Sequence, residues 1–219
     1  MVPLRRLYPL IAGVGVLGAS LSLVAGRVGG PAGMADMSVA RYASLDGGHA
    51  AAALGVLGVS SLVLVVGMWA VRGPVDGWAQ WLMPVYGVGA VVASLVPGTR
   101  VAEAALLVAM VAMAGAAALM SRRFAEDERW RAIARPLEWL ALGAGGSLAV
   151  LTYVSLPGHG VLVGLVEWTL LGVETAVLAL VAAHLTRVAW EDAGRRVGDE
   201  VEARVVLPEA AGVAVRDLA

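Results

Sequence analysis

The sequence predicts an all-α polytopic membrane bundle of about six transmembrane helices, with both termini on the cytoplasmic side. Three observations carry that expectation. Of 219 residues, 59% are hydrophobic and only 15% are charged, with a mean hydropathy of +0.81, beyond what a soluble domain with one core contains. The apolar residues fall in blocks of about 20, the length that a hydrocarbon core about 30 Å thick demands of a helix. The basic residues then gather at alternate ends of those blocks.

The first span is expected at residues 7–26, the uncharged stretch between Arg6 and Arg27. Val24-Ala25 resembles a small-residue cleavage site, but the block is longer than a secretory signal core and further spans follow, so it reads as a helix. The second span is expected at 48–71, the third at 78–97 and the fourth at 101–120, each bounded by Arg, Asp or Pro-Gly. The uncharged run from Trp139 to Val166 is too long for one crossing and is broken at Pro157-Gly158-His159-Gly160. It therefore divides into a fifth span at 136–156, with Pro136 in its first turn, and a sixth at 160–187. Residues 1–187 form the transmembrane domain and 188–219 a cytoplasmic tail. The loop from Arg27 to about Gly48 and the tail are both too short and too polar to fold around a core of their own.

Orientation follows from the arginines, because positive charge is retained on the cytoplasmic side. All sixteen basic residues are Arg. With a cytoplasmic N-terminus, thirteen fall inside and three, Arg27, Arg41 and Arg100, fall outside. Trp69, Trp78, Trp81, Trp130, Trp139 and Trp190 lie at the same inner ends, as an interfacial aromatic belt would. The inner loop 121–135 combines five Arg with Phe124, Trp130 and Ile133, a composition suited to fixing topology or to a short interfacial helix.

Several chemistries are excluded or weakened. A net charge of -1 offers no footing for nucleic acid. The absence of Cys removes thiolate nucleophiles and Cys-ligated metals. Gly13, Gly15 and Gly18 spell G-x-G-x-x-G, but inside an apolar span with no preceding strand they read as helix-packing positions, as do Gly87 and Gly89 in the third span and Gly143, Gly145 and Gly146 in the fifth. No protease motif is present, and no cofactor, metal or catalytic residue is expected. His49 with His159 is the only histidine pair at one depth, and both stand at span ends where solvation is the ordinary outcome.

The sharpest feature is Glu167 and Glu174 in the sixth span. Seven residues apart, they share a stripe and lie roughly 10 Å apart along the axis. A charge at that depth costs about 2.5 to 3.5 kcal/mol, so each must face the bundle interior or be protonated. They form a candidate intramembrane polar site, either a proton relay or interhelical glue bonded to Ser60, Ser61, Ser147, Thr152, Tyr153 or Thr175. A second candidate, an outer polar cap, gathers Asp46, His49, Arg100, Glu103 and His159 at the outer ends of the spans.

The layout resembles the prokaryotic six-helix membrane family catalogued as domain of unknown function 998, akin to the eukaryotic DRAM and Frag-type proteins. The resemblance lies in Tyr42-Ala43-Ser44-Leu45 before the second span, Ser94-Leu95-Val96-Pro97 at the outer end of the third, and Gly164-Leu165-Val166-Glu167 opening the sixth. The family often carries a basic residue after that Gly-Leu start, where this chain has Glu167 and Trp168. The resemblance implies the six-helix architecture and no particular activity.

These readings point to a non-enzymatic multi-pass protein of the cell membrane whose partners are membrane lipids or other membrane-protein subunits. A small transporter or proton-coupled permease using Glu167 and Glu174, and an accessory subunit of a larger membrane complex, are the alternatives.

Overall fold

The computed structural model describes residues 2–28, 37–75, 77–155 and 162–216, and among these the side chains of 7–26, 37–75, 77–155 and 162–191. The described residues form helices and the turns between them: α1 (Val2–Val28), α2 (Val39–Leu45), α3 (His49–Ala70), α4 (Trp78–Leu95), α5 (Arg100–Glu126), α6 (Arg131–Val154) and α7 (Val163–Arg216). Six of the seven are long and apolar enough to cross a membrane. The exception is α2, seven residues long.

Each boundary has a local cause. At Asp46 the side chain accepts the Gly48 and Ala50 N–H groups, which starts α3 after two glycines with left-handed φ of 76° and 94°. At its other end, Gly73 N–H reaches the Met68 carbonyl and Arg72 N–H the Trp69 carbonyl, a Schellman closure that holds Arg72 at φ 54°. The α4 helix stops at Leu95, two residues short of the expected limit, because the residue before Pro97 disfavours helical geometry. Thr99 caps α5 by accepting the Ala102 N–H at 3.2 Å.

The arginine-rich segments are helical beyond the expected limits. The helix that carries the fourth span, expected at 101–120, runs on to Glu126 as α5. Residues 127–130 form a tight turn, with the Trp130 and Arg131 N–H groups on the Asp127 carbonyl, so α6 starts at Arg131 and Pro136 lies inside it, past its first turn. There is no separate interfacial helix between them, and Phe124, Trp130 and Ile133 are buried. The segment beyond 187 continues the backbone of α7 in helical form to Arg216.

The spans pack as a closed ring. In sequence, α1 packs on α3, α3 on α4, α4 on α5, α5 on α6 and α6 on α7, and α7 returns to α1 while touching α3 and α5 inside. Lipid tails are as apolar as leucine, so such a ring forms through close van der Waals approach more than through hydrophobic drive. Glycines supply that approach. A Cβ on Gly58 would lie 2.6 Å from the Gly87 carbonyl oxygen, and one on Gly87 would lie 2.9 Å from that of Gly58. The backbones of α3 and α4 therefore touch, with no room for a methyl. Gly89 meets the Ala105 carbonyl of α5 in the same way, at 2.8 Å. Gly15 of the G-x-G-x-x-G run packs on Ser60, whereas Gly18, Gly145 and Gly146 have open space around them and are not packing positions.

Gly58→Ala should therefore lower the thermal midpoint of the detergent-solubilised protein, by an amount corresponding to about 1 to 3 kcal/mol for overpacking. Gly145→Ala, where a Cβ meets nothing within 4 Å, should leave the midpoint unchanged or raise it. Equal losses in both variants would mean that the α3–α4 contact is looser than the backbone approach implies.

Candidate functional site

The site residues converge at the end of the bundle where α5 and α7 begin and α6 finishes. There α2, in the loop between α1 and α3, folds onto the helix ends with Val39, Ala40, Tyr42 and Ala43 buried. The α4–α5 turn is tied to it, since Gly98 N–H donates to the Ala40 carbonyl at 3.2 Å. The ring of Tyr42 stands edge-on to Trp168 of α7, with centroids 5.3 Å apart. Glu167, one residue earlier, accepts the Val39 N–H through Oε2 at 2.8 Å. This acid thus ends in neither a free relay position nor a hydroxyl contact. It holds the first turn of α2, where a carboxylate suits the unsatisfied N–H groups and the helix dipole.

Beside that contact, a groove of about 930 Å³ opens between α5 and α6. Its composition changes with depth. Arg100, the first residue of α5, and Ser155, just past the end of α6, stand at the mouth with Ser38. One turn deeper come Glu103, Thr152 and Glu167. Below them the walls are apolar, with Leu107 and Val111 continuing the Glu103 stripe of α5 and Leu148 facing from α6. Glu103 and Glu167 are close enough to interact electrostatically. Among the described residues no cation forms an ion pair with either.

Glu174 lies two turns further along α7, with 0% exposure, and neither carboxylate oxygen has a hydrogen-bond partner among the described residues. Three of the hydroxyls expected as its partners are engaged elsewhere. The Ser61 hydroxyl donates to the Met83 carbonyl at 3.2 Å, and those of Thr152 and Thr175 bond back into their own helices at 2.8 and 2.7 Å. Instead, the group within electrostatic reach is the Tyr86 hydroxyl of α4, itself fully buried and without a hydrogen-bond partner. A buried carboxyl and a buried phenol without donors or acceptors are costly, and such groups are uncommon in folded proteins. Tyr86 escaped the sequence reading. The signal for it was a tyrosine at the ninth position of an 18-residue span, where only an internal partner can satisfy its hydroxyl.

The described members of the outer polar cap stand in two places. Asp46 is consumed in capping α3, and His49 is exposed on the first turn of that helix. Among the described residues no hydrogen bond or ion pair joins either to Arg100 or Glu103, which face the groove instead. His159, with the Pro157 to Gly160 turn, lies outside the described residues. At the arginine-rich end, His184 of α7 donates from Nε2 to the Arg129 carbonyl at 2.8 Å and packs on Trp130, which packs in turn on Phe124. Trp130 is thus a core residue rather than part of an interfacial belt, while Trp69, Trp78, Trp81, Trp139 and Trp190 are exposed. No group of three or more His, Asp or Glu among the described residues is placed to hold a metal ion. A comparison of the chain with protein families, curated proteins and solved structures finds no match.

Replacing Glu167 with Ala should release the first turn of α2, with a stability loss of about 0.5 to 2 kcal/mol as for other lost caps. Hydrogen exchange at the Val39 amide should accelerate. Glu167→Gln, whose amide oxygen still accepts from Val39, should retain most of that protection; equal exchange in the two variants would remove Glu167 from the role of α2 anchor.

Proposed function

We propose that this chain is a non-enzymatic multi-pass protein of the cell membrane that holds an amphiphilic, lipid-like molecule in the groove between α5 and α6. The observation that carries this reading is the ordering of the groove walls, charged at the mouth, mixed one turn down and apolar below. That order matches the polarity of a single-chain or two-chain amphiphile entering sideways from the bilayer. A neighbouring apolar furrow of about 700 Å³ between α4 and α5 shares Arg100 at its rim but has no second polar level, so it reads as lipid-facing surface. Membership of the family catalogued as domain of unknown function 998 belongs to the same proposal and rests on the short motifs given above.

The proposal places both termini in the cytoplasm. Support comes from the thirteen to three division of arginines between the two ends of the bundle. The chain lacks cysteine, so single cysteines report topology directly. A cysteine at Glu128 should be shielded from a membrane-impermeant maleimide in intact cells, and one at His49 should be labelled; the reverse pattern would invert the bundle.

Leu107 and Ala149 line the groove from α5 and α6 and are exposed in it. Leu107→Trp or Ala149→Trp should fill the space, so that native mass spectrometry of gently solubilised protein finds less bound amphiphile than in the parent. If the parent retains no amphiphile, or both variants retain as much, the binding role fails.

One observation favours a second reading, a proton-coupled carrier. It is the Glu174 carboxyl and the Tyr86 hydroxyl, both buried without a hydrogen-bond partner among the described residues and within electrostatic reach of each other, since carboxyls at membrane depth mark ion and proton paths. In liposomes, that reading expects a pH-driven flux that Glu174→Gln abolishes. No flux in the parent, together with equal or higher thermal stability of Glu174→Gln, would leave Glu174 as a buried structural acid.

A further inference from the structure

The order of charges in the α5–α6 groove carries more than an amphiphile's general outline. Resting on that reading, we infer that the groove selects a hydrophobic amine, its ammonium seated between Glu103 and Glu167 and its chain descending along Leu107, Val111 and Leu148.

Depth sets the order of the charges. Arg100 opens α5, and Glu103 lies three residues further in, roughly 4.5 Å deeper along the axis. Glu167 lies four residues past Val163, the start of α7, at a similar depth of roughly 6 Å. Both helices begin at the same end of the bundle, so the two carboxylates stand at one level between the guanidinium and the apolar walls. A ligand whose chain fills the apolar part must present its first polar group at this level, and the groups waiting there are acids. An anion seated beside the chain, as in a fatty acid or an alkyl sulfate, would meet two like charges.

Among the described residues, no cation answers the two carboxylates. Glu103 and Glu167 interact with each other, and one Glu167 oxygen is held by Val39 N–H. Neither forms an ion pair among the described residues, so their mutual repulsion favours a cation between them. Arg100 stands a turn above and supplies no such bridge, but its charge discourages a second cation at the mouth. An ammonium offers up to three donors to oxygens at this level, including the Thr152 hydroxyl that lines the same wall. The remaining walls are hydrocarbon and demand a chain.

The test uses the full-length protein in a nonionic detergent and three probes with the same chain: dodecylamine, dodecyl sulfate and dodecanol. Binding is read by displacement of a fluorescent long-chain amine. Dodecylamine should displace it at concentrations at least about tenfold lower than the other two, the margin expected from one charge-assisted contact. Glu103→Gln combined with Glu167→Gln should abolish that preference while leaving dodecanol unaffected, because Gln keeps the shape and the Val39 contact. Leu107→Trp should weaken all three. Equal binding of the three probes, lost in Leu107→Trp, would overturn the amine and leave the amphiphile groove intact. Equal binding that Leu107→Trp leaves unchanged, or no binding at all, would overturn both. An amine preference that survives in the double Gln variant would place its origin outside Glu103 and Glu167 and overturn the inference.

Discussion

Hydrocarbon offers no hydrogen-bond partner, and most of this structure follows from that constraint. Backbone groups satisfy themselves within helices of 18 residues or more. Hydroxyls in the spans do the same by bonding back along their own helix, as Ser20 does to Val16, Thr169 to Leu165 and Thr186 to Ala182. Groups too large or too polar for that solution need a partner from another element. Ser61 finds the Met83 carbonyl across the α3–α4 contact, His184 finds the Arg129 carbonyl, and Glu167 finds the Val39 amide. Glu174 and Tyr86 find only each other's field among the described residues.

Assembly of the ring follows the same logic at the level of packing. Where glycine admits backbone contact, as between α3 and α4, the helices close tightly and leave no furrow to the interior. The α6 helix has the smallest buried share of the six spans, and the glycines on its exposed side, Gly145 and Gly146, draw no neighbour toward them. The groove opens along this sparsely packed helix, between it and α5.

The spans were legible in the sequence because their cause is local: a run of apolar residues between charges must be a helix of bilayer length. The pair of acids in α7 was legible for the same reason, since charge inside such a run stands out. What composition hid was set by contacts distant in sequence. The loop before α3 looks polar and irregular, yet Val39, Tyr42 and Ala43 form a buried turn because α7 offers Glu167 and Trp168 as its seat. Trp130 reads as interfacial from its arginine neighbours, but Phe124 and His184 enclose it. Tyr86 is one aromatic among many in an apolar span, and only the approach of α7 makes its hydroxyl matter. Asp46, expected in an outer polar cap, is taken up by capping, a nearer competitor for a carboxylate than a distant cation, since it meets two N–H groups within four residues.

Glu167 is where these effects meet. One of its oxygens anchors α2, and α2 in turn is bonded to the α4–α5 turn through Ala40 and Gly98. The same carboxyl group forms part of the groove wall, and two turns along its stripe lies Glu174. A hydrogen bond from a backbone amide to a charged acceptor contributes about 1.5 to 3 kcal/mol, comparable to what a single ammonium contact can add. A cation arriving in the groove therefore shares Glu167 with α2 on nearly equal terms, and the second, free oxygen allows it to bind without dislodging the Val39 amide. Two acceptor oxygens at this position are what let one residue serve the fold and the groove together, which a Ser, Thr or Tyr there, with a single oxygen, would do less well.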